Sequence, residues 1–300
     1  MINYNPKNWY GLIFEFHKSD TLRKLLKTLI LFGIYCTIIV YLELHFTKFK
    51  STIAIHSLLG FVIGLLLVFR TNTAYDRWWE GRKLWGELTN TSRNLAMKIN
   101  AILKKDHLED RKFYSAMITN FVISCKGHLR RHEESVLEEF TDCKEFSKEK
   151  LNIKDHLPNL FATLIYEKTH KLFKKEIITG NLLITVDKQI KSMVDVIGGC
   201  ERIKNTPIPY SYNIFLKKFI FIYTLSLPFG LVTDLGYWSI PISIFILYVL
   251  SSLELLAEEI EDPFGTDAND LPIDTMCENI KKNVNSILLN KDLSNLSSLE

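Results

Sequence analysis

Four apolar stretches organise the chain, at residues 25–44, 53–69, 219–232 and 237–256. With its flanks, each approaches the roughly 20 residues that a helix needs to cross the hydrocarbon core of a bilayer. Charge inside these runs is almost absent, which a water-soluble core would not require four times over. Between the second and third runs charge returns, and apolar positions recur at helical spacing: Leu84, Leu88, Leu95, Ile99 and Ile102 near one face, then Phe113, Met117 and Phe121. Helices of this kind must bury their stripes against a partner. One partner follows the fourth run, where Ile273, Met276, Cys277, Ile280, Val284 and Ile287 form another stripe, with Asp270 placed to cap that helix and Pro272 in its first turn.

The pattern predicts an all-α membrane protein: four transmembrane helices plus a helical domain that takes in the C-terminal segment. The expected divisions are residues 1–24 as an N-terminal cytosolic segment, 25–78 as the first two membrane helices, and 79–212 as the cytosolic helical domain. Residues 213–257 then form membrane helices three and four, and 258–300 an acidic segment, a helix and a loose tail. The lysine-rich stretch 144–154 reads as an exposed, mobile connection. The first run is preceded by amphipathic residues and lacks a small-residue cleavage site after it, so it reads as a retained membrane segment.

Basic residues set the orientation, because short loops rich in Lys and Arg stay on the cytoplasmic side. Lys18, Arg23, Lys24 and Lys27 precede the first run, Arg70, Arg77, Arg82 and Lys83 follow the second, and Lys217 and Lys218 open the third. The loop at 233–238 has none; Lys48 and Lys50 in the first loop run against the trend. A multi-pass protein of the inner or plasma membrane with both termini in the cytoplasm is the expectation.

Composition narrows the function. A net charge of +3, with no basic stripe interleaved with aromatics, gives no reason to expect nucleic acid as a partner. The five cysteines, Cys36, Cys125, Cys143, Cys200 and Cys277, are scattered and form no C-x-x-C pair, which fits a reducing compartment. Nucleophile elbow, Walker loop, H-E-x-x-H and zinc-ligand spacings are all missing, and the eight histidines are dispersed, each read as a surface or core residue. Nothing asks for an enzyme or a required cofactor. Ionisable residues near the membrane runs are confined to their margins, at Glu43, His56, Asp234 and Glu254, which favours a passive pathway over a coupled carrier.

The second run carries the most specific pattern. Gly60 and Gly64 have the spacing that lets helices approach closely. Phe61, Leu65 and Phe69 align at i, i+4 and i+8, and the next turn, from Arg70 to Thr73, is suddenly polar. An apolar constriction opening onto a polar vestibule has this form and gates by dewetting. A row of side chains facing lipid or a neighbouring helix has it too. Four helices are too few to enclose a pore, so the channel reading requires a ring of identical subunits.

Three segments carry a resemblance that bears on this choice. FRTNTAYDRWWEGRKLWGEL at 69–88, GCERIKNTPIPYSY at 199–212 and EEIEDPFGTDANDLPID at 258–274 lie in the order found in bacterial bestrophin-type ion channels, and together with the membrane pattern they resemble that family over nearly the whole chain. The resemblance implies a homopentamer embedded in the bilayer, with the second membrane helix, about 53–72, lining a central pore for small monovalent ions. It places a hydrophobic neck on Phe61, Leu65 and Phe69 and a cytosolic aperture on Ile184. Animal bestrophins hold calcium with the segment that begins Asp-Pro-Phe-Gly, which would make Asp262, Asp267 and Asp270 the metal-facing carboxylates here, with Glu259 nearby.

Thr266 stands where the animal pattern is acidic, and Ala268 and Asn269 interrupt the run, whereas calcium wants six to eight oxygens. The alternative is that these carboxylates cap helices or pair with Arg77 or Arg82. Selectivity is equally open: the animal members conduct chloride, and Arg70 draws anions if it faces the lumen, whereas an Arg70 paired with a carboxylate leaves cations free to pass. A membrane-anchored helical binding or scaffold protein, sensing a ligand or metal through its acidic segment, is the alternative from another class.

Overall fold

The computed structural model describes residues 20–46, 53–104, 106–151 and 155–289. The N-terminal segment up to residue 19, Lys48 and Lys50 of the first loop, and the tail from residue 291 lie outside them. Among the described residues the fold is all-helical. Its helices are α1 (Asp20–His45), α2 (Ile53–Ile102), α3 (Leu108–Arg130), α4 (Leu157–Lys174), α5 (Gly180–Asn205), α6 (Tyr210–Leu235), α7 (Ser239–Glu261) and α8 (Ile273–Leu289), with short 3-10 turns between some of them.

Three stretches are long and apolar enough to cross a membrane: Thr21–His45, Ala54–Ile102 and Tyr210–Glu261. The third is two helices, because Gly236 takes a positive φ of 52° and a 3-10 turn separates α6 from α7. A side chain at that φ would press Cβ against the backbone, so glycine is the residue that ends α6 cheaply.

The chain divides into two compact units, one of residues 2–78 with 207–262, the other of residues 79–206 with 263–300. In the first, α1, α6 and α7 pack on one another. The N-terminal half of α2 buries Ile63 and Leu67 against Leu216, Ile220, Tyr223, Leu227 and Leu231 of α6. Two glycines set that spacing: a Cβ on Gly60 would lie 2.7 Å from the Tyr223 hydroxyl, and one on Gly230 would lie 2.6 Å from the His56 ring. His56, whose Nε2 is 3.0 Å from the Ser226 carbonyl, therefore has a structural job. Gly64, by contrast, meets nothing within 4 Å.

In the second unit α3 runs through the middle. It is buried nearly all round from Phe113 to Leu129, with Ser115, Thr119, Asn120 and Ser124 enclosed among its apolar side chains. It packs on α4, α5, α8 and the 3-10 turn Glu133–Glu139. Charged groups sit at its margins. Lys168 pairs with Asp110 at 2.6 Å and with Glu145, and Arg130 grips Asp274 through two bonds of 3.0 and 2.9 Å.

Three expectations change. The helix of the second run does not stop near residue 72 but continues without interruption to Ile102, a 50-residue rod about 75 Å long. Within its polar turn Thr71 and Thr73 fold their hydroxyls back onto the Leu67 and Phe69 carbonyls, both at 2.9 Å, which satisfies them without interrupting the helix. The lysine-rich stretch, as far as it is described, is tied down rather than loose: Cys143 and Phe146 form a bridge, and the Lys148 amide donates to Asp142 at 2.7 Å. Asp270, expected to cap the last helix, accepts the Asp267 amide in the turn before it, and that helix starts at Ile273 with Met276 N–H bonded to the Pro272 carbonyl.

Candidate functional site

The surface of α2 in the first unit has two sides of opposite character. Ile63 and Leu67 are 0% and 2% exposed, while Phe61, Leu65 and Phe69 stand 71%, 47% and 57% exposed in the protomer. The uncovered arc also takes in Leu58, Val62 and Val68, so it is wider than one row of side chains. No Asp, Glu, Lys or Arg lies on the helix between Ile53 and Phe69, and beyond His56 and Ser57 near its start no hydrogen-bonding side chain does either. The wall from Leu58 to Phe69 therefore offers an ion nothing in exchange for its hydration shell.

One turn on, the polarity reverses, and the sequence leaves two positions open for Arg70. The structure gives it a partner. Arg70 is 1% exposed, its Nη2 donates to Glu261 Oε2 at 2.7 Å, and its Nε lies 3.6 Å from Glu254 Oε2. The other oxygen of Glu261 accepts the Ile208 amide at 2.9 Å, and its backbone carbonyl accepts Arg77 Nε at 3.0 Å. Tyr212 adds a bond from its hydroxyl to the Leu66 carbonyl at 3.1 Å. One carboxylate thus ties the α2 segment to the Pro-Ile-Pro-Tyr stretch and the end of α7. Arg70 is thus set against two carboxylates inside the node, which compensate its charge, while Arg77 is engaged by the Glu261 carbonyl.

Glu261 is the central residue that sequence reasoning passed over, and Glu254 was read only as interfacial. Their signal was weak. The partners of the 2.7 Å bond are 191 positions apart, and several acidic residues on either side compete for the role.

The acidic segment is divided between the units. Asp262 closes the first, exposed to solvent. Asp267 and Asp270 belong to the second, where Asp267 is exposed and Asp270 is 2% exposed. Asp270 Oδ2 accepts the Asp267 amide at 2.6 Å, which spends the carboxylate on closing its own turn. Pro263 and Phe264 fold onto Gly81 of α2, where an added Cβ would lie 3.1 Å from both side chains. Phe264 is completely buried, and Leu271 N–H bonds back to the Pro263 carbonyl at 3.0 Å. In the same unit Gly199 admits Leu84, whose side chain would sit 3.0 Å from a Cβ there. The glycines of two sequence segments are thus seats for bulky side chains.

Ile184 lies in the second turn of α5 with 69% of its surface exposed. Beside it a cavity of about 310 Å³ is lined by Tyr166, His170, Leu183 and Asp187 among others.

These features coincide with a known group of proteins. Residues 1–286 match the family model described as bacterial/fungal bestrophin protein. Among relatives, the voltage-dependent anion channel-forming protein alr2987 of Nostoc is 34% identical over 94% of this chain and 92% of its own length. The voltage-dependent anion channel-forming protein YneE of Escherichia coli is 32% identical with the same coverage. A crystal structure of a bacterial bestrophin homologue from Klebsiella pneumoniae superposes with a TM-score of 0.81 at 30% identity, covering 88% of this chain and 98% of that one. Bestrophins are ion channels rather than enzymes, and with helices this apolar the chain is an integral membrane protein. On the match over nearly its full length, the chain belongs to the bacterial/fungal bestrophin family.

Proposed function

We propose that this chain is the subunit of a passive, anion-conducting channel, a homopentamer with four membrane helices per subunit and both termini in the cytoplasm. Phe61, Leu65 and Phe69 form its neck, and Ile184 forms a second constriction on the cytosolic side. The observation that carries the reading is the one-sided burial of α2: its far face is sealed against α6, while three apolar side chains at i, i+4 and i+8 stay uncovered in the protomer. The uncovered arc has room for both tasks a ring imposes, one row toward the pore and flanking rows toward neighbouring subunits. Gly64, with open space where its side chain would be, fits the second task.

The mechanism follows from the chemistry of that surface. A ring of aromatic and leucine side chains closes by excluding water, and an ion passes when the ring dilates enough to stay wet. Such a neck discriminates little between ions of one charge. The relatives' names, voltage-dependent anion channel-forming proteins, support anions as the cargo.

One observation favours a second reading. Arg70, the basic residue directly below the neck, is neutralised by Glu261 with Glu254 alongside, so it supplies no fixed positive field. In that reading the pore carries monovalent cations. Reversal potentials of the reconstituted protein under a potassium chloride gradient separate the two, since an anion pathway reverses near the chloride equilibrium potential. Protein that is an intact ring in detergent but conducts neither ion would overturn both.

A further inference from the structure

Away from the α2 surface, the second unit brings two histidines and a glutamate together from three helices. His128 is in the last turn of α3, His156 is the N-cap of α4, and Glu201 lies in α5. Glu201 Oε1 is 3.0 Å from His128 Nε2 and 2.7 Å from His156 Nε2. One atom from each of the three lies within 4.8 Å of the others, and the two imidazole rings are 4.4 Å apart between centroids. Among the described residues no other group of metal-capable side chains is this close. The side chains are 28%, 32% and 29% exposed, held in place yet reachable from solvent.

Counting protons narrows what can fill the cluster. His128 sets both ring nitrogens against carboxylates, Nε2 toward Glu201 and Nδ1 toward Glu133 Oε1 at 3.2 Å. A neutral imidazole has one N–H and serves one of these contacts by hydrogen bonding, whereas a doubly protonated ring serves both. A divalent ion in place of the second proton serves both as well. His128 Nδ1–H then donates to Glu133, while the lone pair on Nε2 faces the metal, the arrangement by which a carboxylate orients a metal-bound histidine.

We infer that His128, His156 and Glu201 form a site for a divalent first-row transition ion of the zinc type, with Glu133 as the group that orients His128. Three nitrogen and oxygen donors with a fourth position for water suit zinc. Calcium and magnesium, which take six or more oxygens, are poorly matched. Two carboxylates balance the charge of the ion, and the C-terminal end of α3 adds negative potential.

At Glu201 the rearrangement needed is small. Edges of a zinc tetrahedron are about 3.3 Å, so the present 2.7 and 3.0 Å contacts open by a few tenths of an ångström. His156 Nδ1 now accepts the Asn159 amide at 3.2 Å. With zinc on Nε2 that nitrogen carries the proton, and the exposed Asn159 N–H turns to water. A bound ion would thereby clamp the end of α3, the start of α4 and α5 to one another, independently of what the pore conducts.

The test uses the intact protein in detergent, stripped with a chelator and titrated with zinc chloride, reading stoichiometry by competition with a zinc-binding dye and thermal stability by tryptophan fluorescence. One zinc per chain is expected, with a Tm increase on the order of 5 °C at a hundredfold excess over Kd. His128→Gln, His156→Asn and Glu201→Gln each abolish it, calcium and magnesium do not replace zinc, and His170→Gln leaves it intact. Glu133→Gln, which removes no ligand, weakens affinity by roughly tenfold or more. Zinc binding that survives in the three folded ligand variants, or its absence in folded wild type, would overturn the site. Should a ligand variant fail to fold, the affinity of Glu133→Gln decides: unchanged affinity overturns the inference and weakened affinity supports it.

Discussion

Replacing Arg70 by Met removes the cation from a node that is almost wholly inaccessible to water, where Arg70 is 1% exposed and meets Glu261 at 2.7 Å. Two carboxylates then remain without it, Glu254 on one side and Glu261 on the other. Breaking a buried ion pair from one side costs about 3–5 kcal/mol, most of it the price of a stranded charge. With roughly 1.6 °C of Tm per kcal/mol for a chain of 300 residues, the variant should melt about 5–8 °C below wild type in matched detergent scans. Glu261→Gln should cost less, because Glu254 still lies 3.6 Å from Arg70 and the amide oxygen still accepts from Ile208 N–H. Combining the two changes should cost less than their sum by about 1 kcal/mol or more, the mark of a direct interaction. The double variant, reconstituted, should keep the wild-type ratio of anion to cation permeability, since removing the cation together with its partner carboxylate leaves the net charge of the node unchanged. An Arg70→Met protein with unchanged Tm and shifted selectivity would refute this reasoning and return Arg70 to the pore wall.

Two further outcomes follow from the second unit. Phe264→Ala empties the seat over Gly81 where the ring is fully buried, and should destabilise by about 3–5 kcal/mol in denaturant titrations; a loss under 1 kcal/mol would mean the turn does not anchor there. The carboxyl of Asp274 is held below the usual range first by hydrogen bonds from Arg130, then against its partial burial by Lys126. A depressed acid stabilises the fold above its unfolded pKa of about 3.9 and loses that contribution as pH falls through the folded value. The stability gap between wild type and Asp274→Asn should therefore be constant at neutral pH and shrink below about pH 4; a gap that widens there would contradict it.

How far the sequence anticipated this molecule varies from one element to another. The helices over the apolar runs were legible because length and uninterrupted hydropathy are local properties, and α1, α6 and α7 follow them. The turn between α6 and α7 was legible as the gap between the third and fourth apolar runs, at 233–236. Continuity of α2 to Ile102 was not drawn from the pattern, because the change from apolar to polar at Arg70 reads as a boundary; yet no proline interrupts 53–102, and polarity alone does not end a helix. The exposed row Phe61, Leu65 and Phe69 was visible as a spacing, whereas which side of α2 is buried depended on Tyr223 and Leu227, more than 150 residues away. Long-range pairing was the main thing hidden. Sequence left Arg70 with two fates and did not name Glu261. The eight histidines looked dispersed, and only folding brings His156 beside Glu201, 45 positions on. Asp270 was read as the cap of the last helix, and the bond its side chain accepts is from the Asp267 amide in the turn before that helix.

The central claim, that the uncovered apolar row on α2 is the neck of an ion pore, is tested most directly by ion flux in liposomes carrying the purified protein, with wild type compared to Phe69→Ala at equal amounts of intact ring. Phe69 is 57% exposed in the protomer, so truncating it leaves the packing of α2 on α6 in place while removing bulk from the constriction. The account predicts higher flux in Phe69→Ala than in wild type, with the same preference between chloride and sodium. Equal flux from the two proteins would contradict the neck, and no flux from either would contradict the channel.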